Sequence, residues 1–193
     1  MDYQAVKKFI LDKLRSELSA ELTYHGVHHT LDVLDVAEEL CARENISEYN
    51  TILVKTAALF HDAGFVIGSN KHEEYSCQIA SYYLPKFGYK AKDILQINKM
   101  ILATKVPQNP QDKLSQLLCD ADLDYLGRDD FHEIASTLFE ELKARAVVEE
   151  IDTWNAIQVN FLEQHEFFTS TNIQRRSSKK QQHLNELKEL LSL

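Results

Sequence analysis

The 193-residue sequence has little glycine or proline, few cysteines and no long apolar run. With only 5 glycines and 3 prolines, turn signals are rare and the segments between them are long, which is typical of helices. The three cysteines are odd in number and widely spaced, which argues against a disulfide framework or a zinc knuckle and indicates free buried thiols. Because no stretch has the length of a membrane span and the first residues lack a signal-peptide pattern, we expect a soluble cytoplasmic protein.

Basic residues are also in the minority, and the formal net charge is −9. A general nucleic-acid binder usually presents a basic face, so this balance argues against nucleic acid as a partner. One basic cluster is present, formed by Arg175, Arg176, Lys179 and Lys180. It is either a solvated helix face or a group that faces phosphate.

Hydrophobic periodicity predicts helices throughout the chain and no strand. The length suits one domain with a full core, and no linker or repeat divides it. We therefore predict a single all-α domain over residues 1–193, in which helices from 129 to 193 pack on a core over about 24–127. The predicted helices span residues 3–20, 28–44, 48–63, 72–84, 91–104, 112–126, 129–149, 151–168 and 172–192.

The most informative feature is the pair His61-Asp62, which follows an apolar run over residues 53–60. A histidine and a carboxylate at the end of a buried helix need partners, because burying charged groups is costly. A metal cation is one such partner. Further histidine and acidic residues that could share it occur at 25–29, 72–73 and 120–122.

Helical periodicity indicates which of these residues point inward. In the second predicted helix, His29 shares a face with apolar residues, whereas His28 lies on an acidic face. In the sixth, Asp122 lies with leucines, whereas Asp120 and Asp124 lie on the polar side. We therefore predict that His29 and Asp122 point to the core and that the other three point to water.

Two more histidines lie near this inward set. His25 precedes His29 by about one helical turn and can lean over the same site if the helix extends back that far. His72 lies on the apolar stripe of the fourth helix, but it is equally compatible with a solvent-exposed helix N-terminus. A lone inward histidine is often only a core residue. Two imidazoles with two carboxylates instead suit a divalent ion such as Mn, Fe, Ni, Co, Zn or Mg.

Three segments together resemble the ligand motifs of the HD-domain superfamily of metal-dependent phosphohydrolases. The first, residues 24–33 (YHGVHHTLDV), is also similar to a segment of the cyclic-nucleotide phosphodiesterases. The second, residues 59–65 (LFHDAGF), resembles the HD motif itself, and the third, residues 120–127 (DADLDYLG), resembles the final ligand motif. The resemblance implies an all-α, phosphodiesterase-like helical bundle. It does not specify a substrate.

The resemblance also implies roles for single residues. It makes His29, His61, Asp62 and Asp122 the metal ligands. It makes His25 the group that protonates the leaving oxygen, although Gly26 and Thr30 depart from the phosphodiesterase pattern. His72 matches the first of two extra histidines in two-metal members, where it would serve a second metal or the substrate. Residues 101–104 (ILAT) lack the second histidine, so we expect one tightly held metal and at most a weaker second one.

The sequence therefore predicts a phosphomonoesterase or phosphodiesterase that acts on a nucleotide or another small phosphoester. Metal-activated water would attack phosphorus, and Asp62 or Asp122 would orient or deprotonate that water. Lys71, Lys105 and Arg128 are candidates for phosphate contacts, although each is also compatible with an ordinary surface position. One alternative is a metal-binding regulatory module without turnover, and a second is a di-iron oxygenase of the HD type. We also expect no membrane partner. A homo-oligomer is compatible with the sequence, which does not determine the oligomeric state.

Overall fold

The computed structural model describes residues 1–192, so Leu193, the last residue of the predicted domain, lies outside the described residues. Residues 1–192 form nine α-helices and three short 3-10 helices and contain no strand, which confirms the all-α prediction. The α-helices are α1 Tyr3–Glu17, α2 Val27–Arg43, α3 Glu48–Phe60, α4 His72–Tyr83, α5 Ala91–Ala103, α6 Lys113–Asp122, α7 Phe131–Ala144, α8 Ile151–Gln164 and α9 Ser170–Leu190. Each overlaps one helix of the sequence prediction.

Side-chain caps fix the starts of several helices. Asp2 caps α1 by accepting a hydrogen bond from the Ala5 N–H at 3.0 Å. Thr169 caps α9 in the same way through the Asn172 N–H at 3.2 Å. Because each cap satisfies a backbone donor that has no partner inside its helix, the sequence determines these boundaries locally.

Three predicted helices end earlier than expected and continue as 3-10 turns. These turns are Ala63–Val66 after α3, Leu84–Phe87 after α4 and Asp124–Gly127 after α6. The second of them contains a proline in its first turn and ends at Gly88, whose φ of +77° stops the helix. The other two breaks follow His61-Asp62 and Asp122, so the backbone changes course at the HD pair and at the last predicted ligand.

The chain divides into two compact units. The first comprises Met1–Ser19 with His25–Asp122, and the second comprises Ala20–Tyr24 with the residues from Leu123 onward. In the first unit, α3 lies at the centre and packs against α1, α2, α5 and α6. Its residues Val54, Ala57, Leu59 and Phe60 are completely buried. The apolar run before the HD pair is therefore the middle of this core.

The second unit has its own apolar core, contributed by the turn after α6 and by α7, α8 and α9. Phe131 and Trp154 are buried there, and so are Leu184 and Leu187 of the predicted amphipathic stripe. The prediction of one domain over residues 1–193, with the C-terminal helices packed on the motif core, stays a prediction.

Two acidic residues predicted to face water are buried. Asp120 and Asp124 are both 0% exposed. Asp120 lies in α6, which packs against α2, α3 and α5, so several faces of this helix are covered. The periodicity argument assumed one wet face and was wrong for both residues.

The cysteine prediction is confirmed in part. All three thiols are free, with Cys41 and Cys119 buried and Cys77 partly buried. Burial raises the pKa of Cys41 to about 11. Among residues 1–192, no helix is both long and apolar enough to cross a membrane.

Candidate metal centre

Four of the predicted site residues converge from three helices of the first unit. His29 lies in the first turn of α2, and Asp122 is the last residue of α6. His61 is the C-terminal cap of α3, and Asp62 lies between that cap and the 3-10 turn Ala63–Val66. Because α3 is anchored in the core up to Phe60, the HD pair is held at a fixed depth.

The ligand-type atoms of these residues lie at distances typical of neighbours around one ion. The two imidazole Nε2 atoms of His29 and His61 are 3.2 Å apart. Asp62 Oδ2 lies 3.4 Å from His29 Nε2 and 3.2 Å from His61 Nε2. Asp122 Oδ1 lies 3.2 and 3.5 Å from the same nitrogens. Bonds of about 2.1 Å to a divalent ion would separate adjacent ligands by about 3.0–3.4 Å.

The hydrogen bonds around the cluster also favour a cation. His61 Nδ1 lies 2.8 Å from the Ala58 carbonyl oxygen, so Nδ1 carries a proton and neutral His61 directs the Nε2 lone pair into the cluster. Asp62 Oδ2 is buried and accepts no well-formed hydrogen bond. The Nε2 lone pair of His61 and the unsatisfied Oδ2 of Asp62 are together the arrangement that a divalent ion satisfies. The residues present therefore fit the ion that the sequence implied.

Without an ion, the histidines and aspartates of this cluster shift one another's pKa values. Burial alone would lower the pKa of His61, but Asp62 and Asp122 outweigh it and raise that pKa well above 6.5. Burial alone would raise the pKa of Asp62, but His61 and His72 hold it well below 3.8. Against the same effect of burial, His29 and His61 lower the pKa of Asp122 to about 2. Both carboxylates are therefore ionised and ready to bind a cation at neutral pH.

The structure separates the neighbouring candidates that periodicity compared. His29 is buried and His28 is exposed, as predicted. Asp122, whose side chain is 14% exposed, reaches the two imidazoles. The sequence analysis chose Asp122 over Asp120 as the ligand, and this geometry agrees with that choice. Its reason was wrong, because Asp120 is buried and does not face water.

His72 lies on the other side of the HD carboxylate. Its Nε2 is 3.4 Å from Asp62 Oδ1 and 3.5 Å from Glu73 Oε1, and its side chain is 22% exposed. Its Nδ1 lies 3.1 Å from the Ser69 carbonyl oxygen. Burial would lower the pKa of His72, but Asp62 outweighs it and the pKa is raised. His72 is the first residue of α4 and is partly exposed, and it lies beside Asp62 Oδ1, whereas Asp62 Oδ2 faces His29 and His61.

The turn that carries the HD pair is fixed by two residues that the sequence did not single out. Ser76 Oγ donates a hydrogen bond to the His61 carbonyl oxygen at 2.7 Å and accepts one from the Gly64 N–H at 2.8 Å. A Cβ atom on Gly64 would lie 1.9 Å from the His72 carbonyl oxygen. The first turn of α4 therefore packs directly on the backbone that follows the HD pair, and this contact places His72.

A third residue, Phe65, contacts two of the predicted site histidines. Its ring stacks on His25, with centroids 4.2 Å apart, and on His72, with centroids 4.3 Å apart. His25 precedes the first turn of α2, and its ring centroid is 6.1 Å from that of His29. In the sequence, Phe65 was only the aromatic residue that ends the segment resembling the HD motif, three positions after Asp62, and no role was assigned to it. That spacing has no helical meaning, because the chain leaves α3 there.

Two polar residues are relevant to the ligand set. Gln108 lies next to the final ligand, Asp122, and Thr104 lies in the segment where a second histidine was expected. Gln108 donates its side-chain N–H to Asp122 Oδ2 at 3.4 Å and to the Cys119 carbonyl oxygen at 3.2 Å. Thr104 is buried, and its hydroxyl donates to the Ile101 carbonyl oxygen at 2.8 Å. Thr104 is thus bonded within its own helix.

Two of the three basic candidates for phosphate contacts, Lys105 and Arg128, pair with carboxylates. Lys105 Nζ lies 2.9 Å from Glu74 Oε1, whereas Lys71 is exposed directly before His72. In the second unit, the Arg128 guanidinium donates to both carboxylate oxygens of Asp130, at 3.0 and 3.1 Å.

The basic cluster of α9 likewise makes contacts inside the second unit. Arg176 and Lys179 pair with Asp124 and Asp129, each at 2.8 Å. Arg175 Nη1 lies 3.5 Å from Asn172 Oδ1, and Lys180 donates to the carbonyl oxygens of Leu162 and His165. Neither interpretation of this cluster included these bonds, and those of Arg176, Lys179 and Lys180 join α9 to neighbouring segments.

Comparison with known proteins identifies the class that this fold and site define. The HD domain family matches the chain over residues 26–124, more than half of its length, and this range contains all the predicted ligands. The chain therefore belongs to the HD domain family. The sequence matches no protein of curated function.

Two solved structures share the fold. A predicted HD superfamily hydrolase from an uncultured Thermotogales bacterium superposes with a TM-score of 0.65 at 20% identity, covering 96% of this chain and 91% of the other. Bacillus subtilis YpgQ in complex with ADP superposes with a TM-score of 0.62 at 20% identity, covering 95% and 96%. The similarity to both extends over nearly the whole of each chain, well beyond the family match.

Proposed function

We propose that this protein is a metal-dependent phosphohydrolase that cleaves a nucleotide or another small phosphoester, as a phosphomonoesterase or a phosphodiesterase. One observation carries the proposal, namely that two Nε2 atoms and two carboxylate oxygens converge with spacings of 3.2–3.5 Å. Membership of the HD domain family supports it.

The proposed division of roles follows from the geometry. A divalent ion held by His29, His61, Asp62 and Asp122 would supply a water of lowered pKa and polarise a phosphoryl oxygen. Asp62 would accept a hydrogen bond from that water and orient it for attack on phosphorus. His25, held flat against Phe65, donates a proton to the leaving oxygen. His72, which also stacks on Phe65, lies beside Asp62 Oδ1 and is the candidate for a second, weaker ion or for the substrate.

A nucleotide is the preferred substrate class within this proposal. One solved structure of the same fold, that of YpgQ, is a complex with ADP. A net charge of −9 disfavours a long polyanion such as nucleic acid, whereas an ion at the site can neutralise one small phosphate locally. We therefore place a free nucleotide ahead of a nucleic acid.

The test compares His61→Ala with the control His28→Ala in the full chain. His61 Nε2 belongs to the cluster, whereas His28 is an exposed histidine of the adjacent helix. We expect the His61 variant to lose affinity for the divalent ion by about 100-fold or more and to lose hydrolysis, while the control keeps both. Metal analysis, followed by a nucleotide and phosphoester screen with several divalent ions, provides both measurements.

Asp122→Asn is a second variant, which preserves side-chain volume and so keeps the fold. We expect it also to lose ion affinity and hydrolysis, which would show that the losses in His61→Ala do not come from unfolding. Unchanged metal content and hydrolysis in the His61 variant would contradict the proposal. A protein that holds metal but hydrolyses nothing in the screen would instead be a regulatory module. About two irons per chain with oxygen-dependent turnover would indicate the oxygenase, whose expected second histidine is absent from residues 101–104.

A further inference from the structure

The second unit contains a cluster of potential ligands that the proposed hydrolysis does not use. His132 lies at the start of α7, and His183 and Glu186 lie three residues apart on α9. Their ligand-type atoms are all within 4.8 Å of one another, as are those of His29, His61 and Asp62 in the first unit. The two clusters therefore meet the same geometric requirement for an ion.

One carboxylate oxygen lies at the centre of this second cluster. Glu186 Oε2 is 3.0 Å from His132 Nε2 and 3.2 Å from His183 Nδ1. The other oxygen, Oε1, accepts a hydrogen bond from the Gln182 amide at 3.0 Å, which fixes the plane of the carboxylate. Distances of this size are those of adjacent ligands around a zinc-sized ion.

The hydrogen bond of His183 to Arg128 fixes which ring nitrogen carries the proton, and this leaves no proton between His183 Nδ1 and Glu186 in the neutral form. His183 Nε2 lies 2.8 Å from the Arg128 carbonyl oxygen, which can only accept, so Nε2 carries the proton. In neutral His183, the Nδ1 lone pair then faces the carboxylate of Glu186, and the two repel each other. A cation between Nδ1, Glu186 Oε2 and His132 Nε2 removes this repulsion, and the bond to Arg128 becomes the outer contact that orients a metal-bound imidazole.

Burial and packing hold the central histidine in place. The side chain of His183 is 3% exposed, and its ring stacks on Phe131 with centroids 4.6 Å apart. The side chains of His132 and Glu186 are 53% and 39% exposed, so an ion has access from solvent and can keep a water ligand. The cluster thus has one fixed ligand and two that can close on an ion.

We propose that His132, His183 and Glu186 form a second divalent-metal site, separate from the candidate hydrolytic centre, which binds zinc or a similar transition-metal ion. Two imidazole nitrogens and one carboxylate oxygen are a known zinc ligand set. The set contains too few oxygen ligands for calcium or magnesium, which prefer oxygen. An ion there cross-links α7 to α9, so its role is to stabilise the second unit.

The test uses zinc alone, titrated into metal-depleted full-length protein in the presence of a chromophoric chelator. We compare wild type with Glu186→Gln, with His132→Gln and with the control Glu189→Gln, which removes the same charge from an exposed position on the same helix. The Glu186 and His132 variants are expected to bind one equivalent fewer than wild type, with affinity at this site lowered about 100-fold. The Glu189 variant is expected to match wild type.

The two sites can be distinguished by a second pair of measurements. His61→Ala should keep the zinc equivalent that Glu186→Gln loses, and Glu186→Gln should keep full hydrolytic activity. Zinc should also raise the midpoint of thermal unfolding in His61→Ala but not in the double variant His61→Ala/Glu186→Gln. Equal zinc stoichiometry and affinity in wild type and Glu186→Gln would overturn the proposal. So would binding only at millimolar zinc, and the cluster would then be an ion pair between imidazolium and carboxylate.

Discussion

Gly64 lies where the turn after the HD pair meets the first residue of α4. A Cβ atom there would lie 1.9 Å from the His72 carbonyl oxygen, and a backbone atom cannot move aside as a flexible side chain can. We expect Gly64→Ala to lower the free energy of unfolding by about 2–3 kcal/mol. The substitution should also displace His72, whose Nε2 lies 3.4 Å from Asp62 Oδ1. Urea denaturation measures the first effect.

Gly68→Ala is the matched control for this prediction. Its Cβ would meet only the Tyr75 side chain, at an ordinary contact distance of 3.9 Å. We expect a change in the free energy of unfolding of less than about 1 kcal/mol. If the two variants are equally stable, the close approach of Gly64 to α4 does not constrain the fold.

Single residues differ in how far the sequence could predict them. His29 and Asp122 were predicted as inward because a helical period of 3.6 separates adjacent positions on opposite faces. Phe65 was missed because it follows the end of α3, where no helical period applies. Ser76 was missed because its bonds to His61 and Gly64 are tertiary contacts, which periodicity within α4 does not predict. Asp120 was misplaced, because a helix covered on several sides can bury a carboxylate that periodicity assigns to solvent.

At the scale of elements, the turn Asp124–Gly127 is bound to α9 by a buried ion pair. Arg176 Nε donates to Asp124 Oδ1 at 2.8 Å, and its Nη2 lies 2.8 Å from Oδ2. Asp124 also accepts from the Asn172 side-chain amide at 3.1 Å. Asp124→Ala would leave Arg176 without its carboxylate, so we expect the free energy of unfolding to fall by about 3–5 kcal/mol.

Asp129→Ala is the control, because it removes the partner of Lys179 from a side chain that is 95% exposed. We expect the free energy of unfolding of this variant to match that of wild type. Chemical denaturation of all three proteins provides the comparison. If both variants lost a similar free energy of unfolding, the buried Asp124–Arg176 pair would contribute no more to stability than the exposed Asp129–Lys179 pair, which would contradict the prediction.

The existence of elements was more predictable than their ends. Nine helices were predicted and nine are observed in residues 1–192, because long periodic segments with few breakers have few alternatives. The ends at Phe60 and Asp122 were missed by several residues. Tertiary contacts set them, such as the bonds of Ser76 to His61 and Gly64, and these contacts are not local in sequence.

For the whole molecule, the charges at the candidate metal centre predict how ion binding depends on pH. Asp62 and Asp122 raise the pKa of His61 well above 6.5 when no ion is present. Below that raised pKa, His61 holds a proton that an ion must displace, whereas above it the nitrogen is free. The apparent affinity should therefore rise with pH, by up to about tenfold per pH unit for one released proton, and level off above that pKa.

The carboxylates do not reverse this trend near neutral pH. The pKa of Asp122 is about 2, so it stays ionised throughout the range. Calorimetric titration in two buffers of different ionisation enthalpy counts the released protons directly. Binding that releases no proton and does not change between pH 6 and 8 would contradict the prediction.

The ligands of the candidate metal centre are brought together from distant points of the chain. His29 and His61 are separated by 32 residues, and between Asp62 and Asp122 lie α4, α5 and the rest of α6. These ligands are contributed by helices that also pack around α3 in the centre of the first unit. A bound ion therefore joins three separate parts of this unit, and cooperative opening of the core around α3 would break its coordination. Binding of the ion should therefore slow the slowest hydrogen exchange of α3.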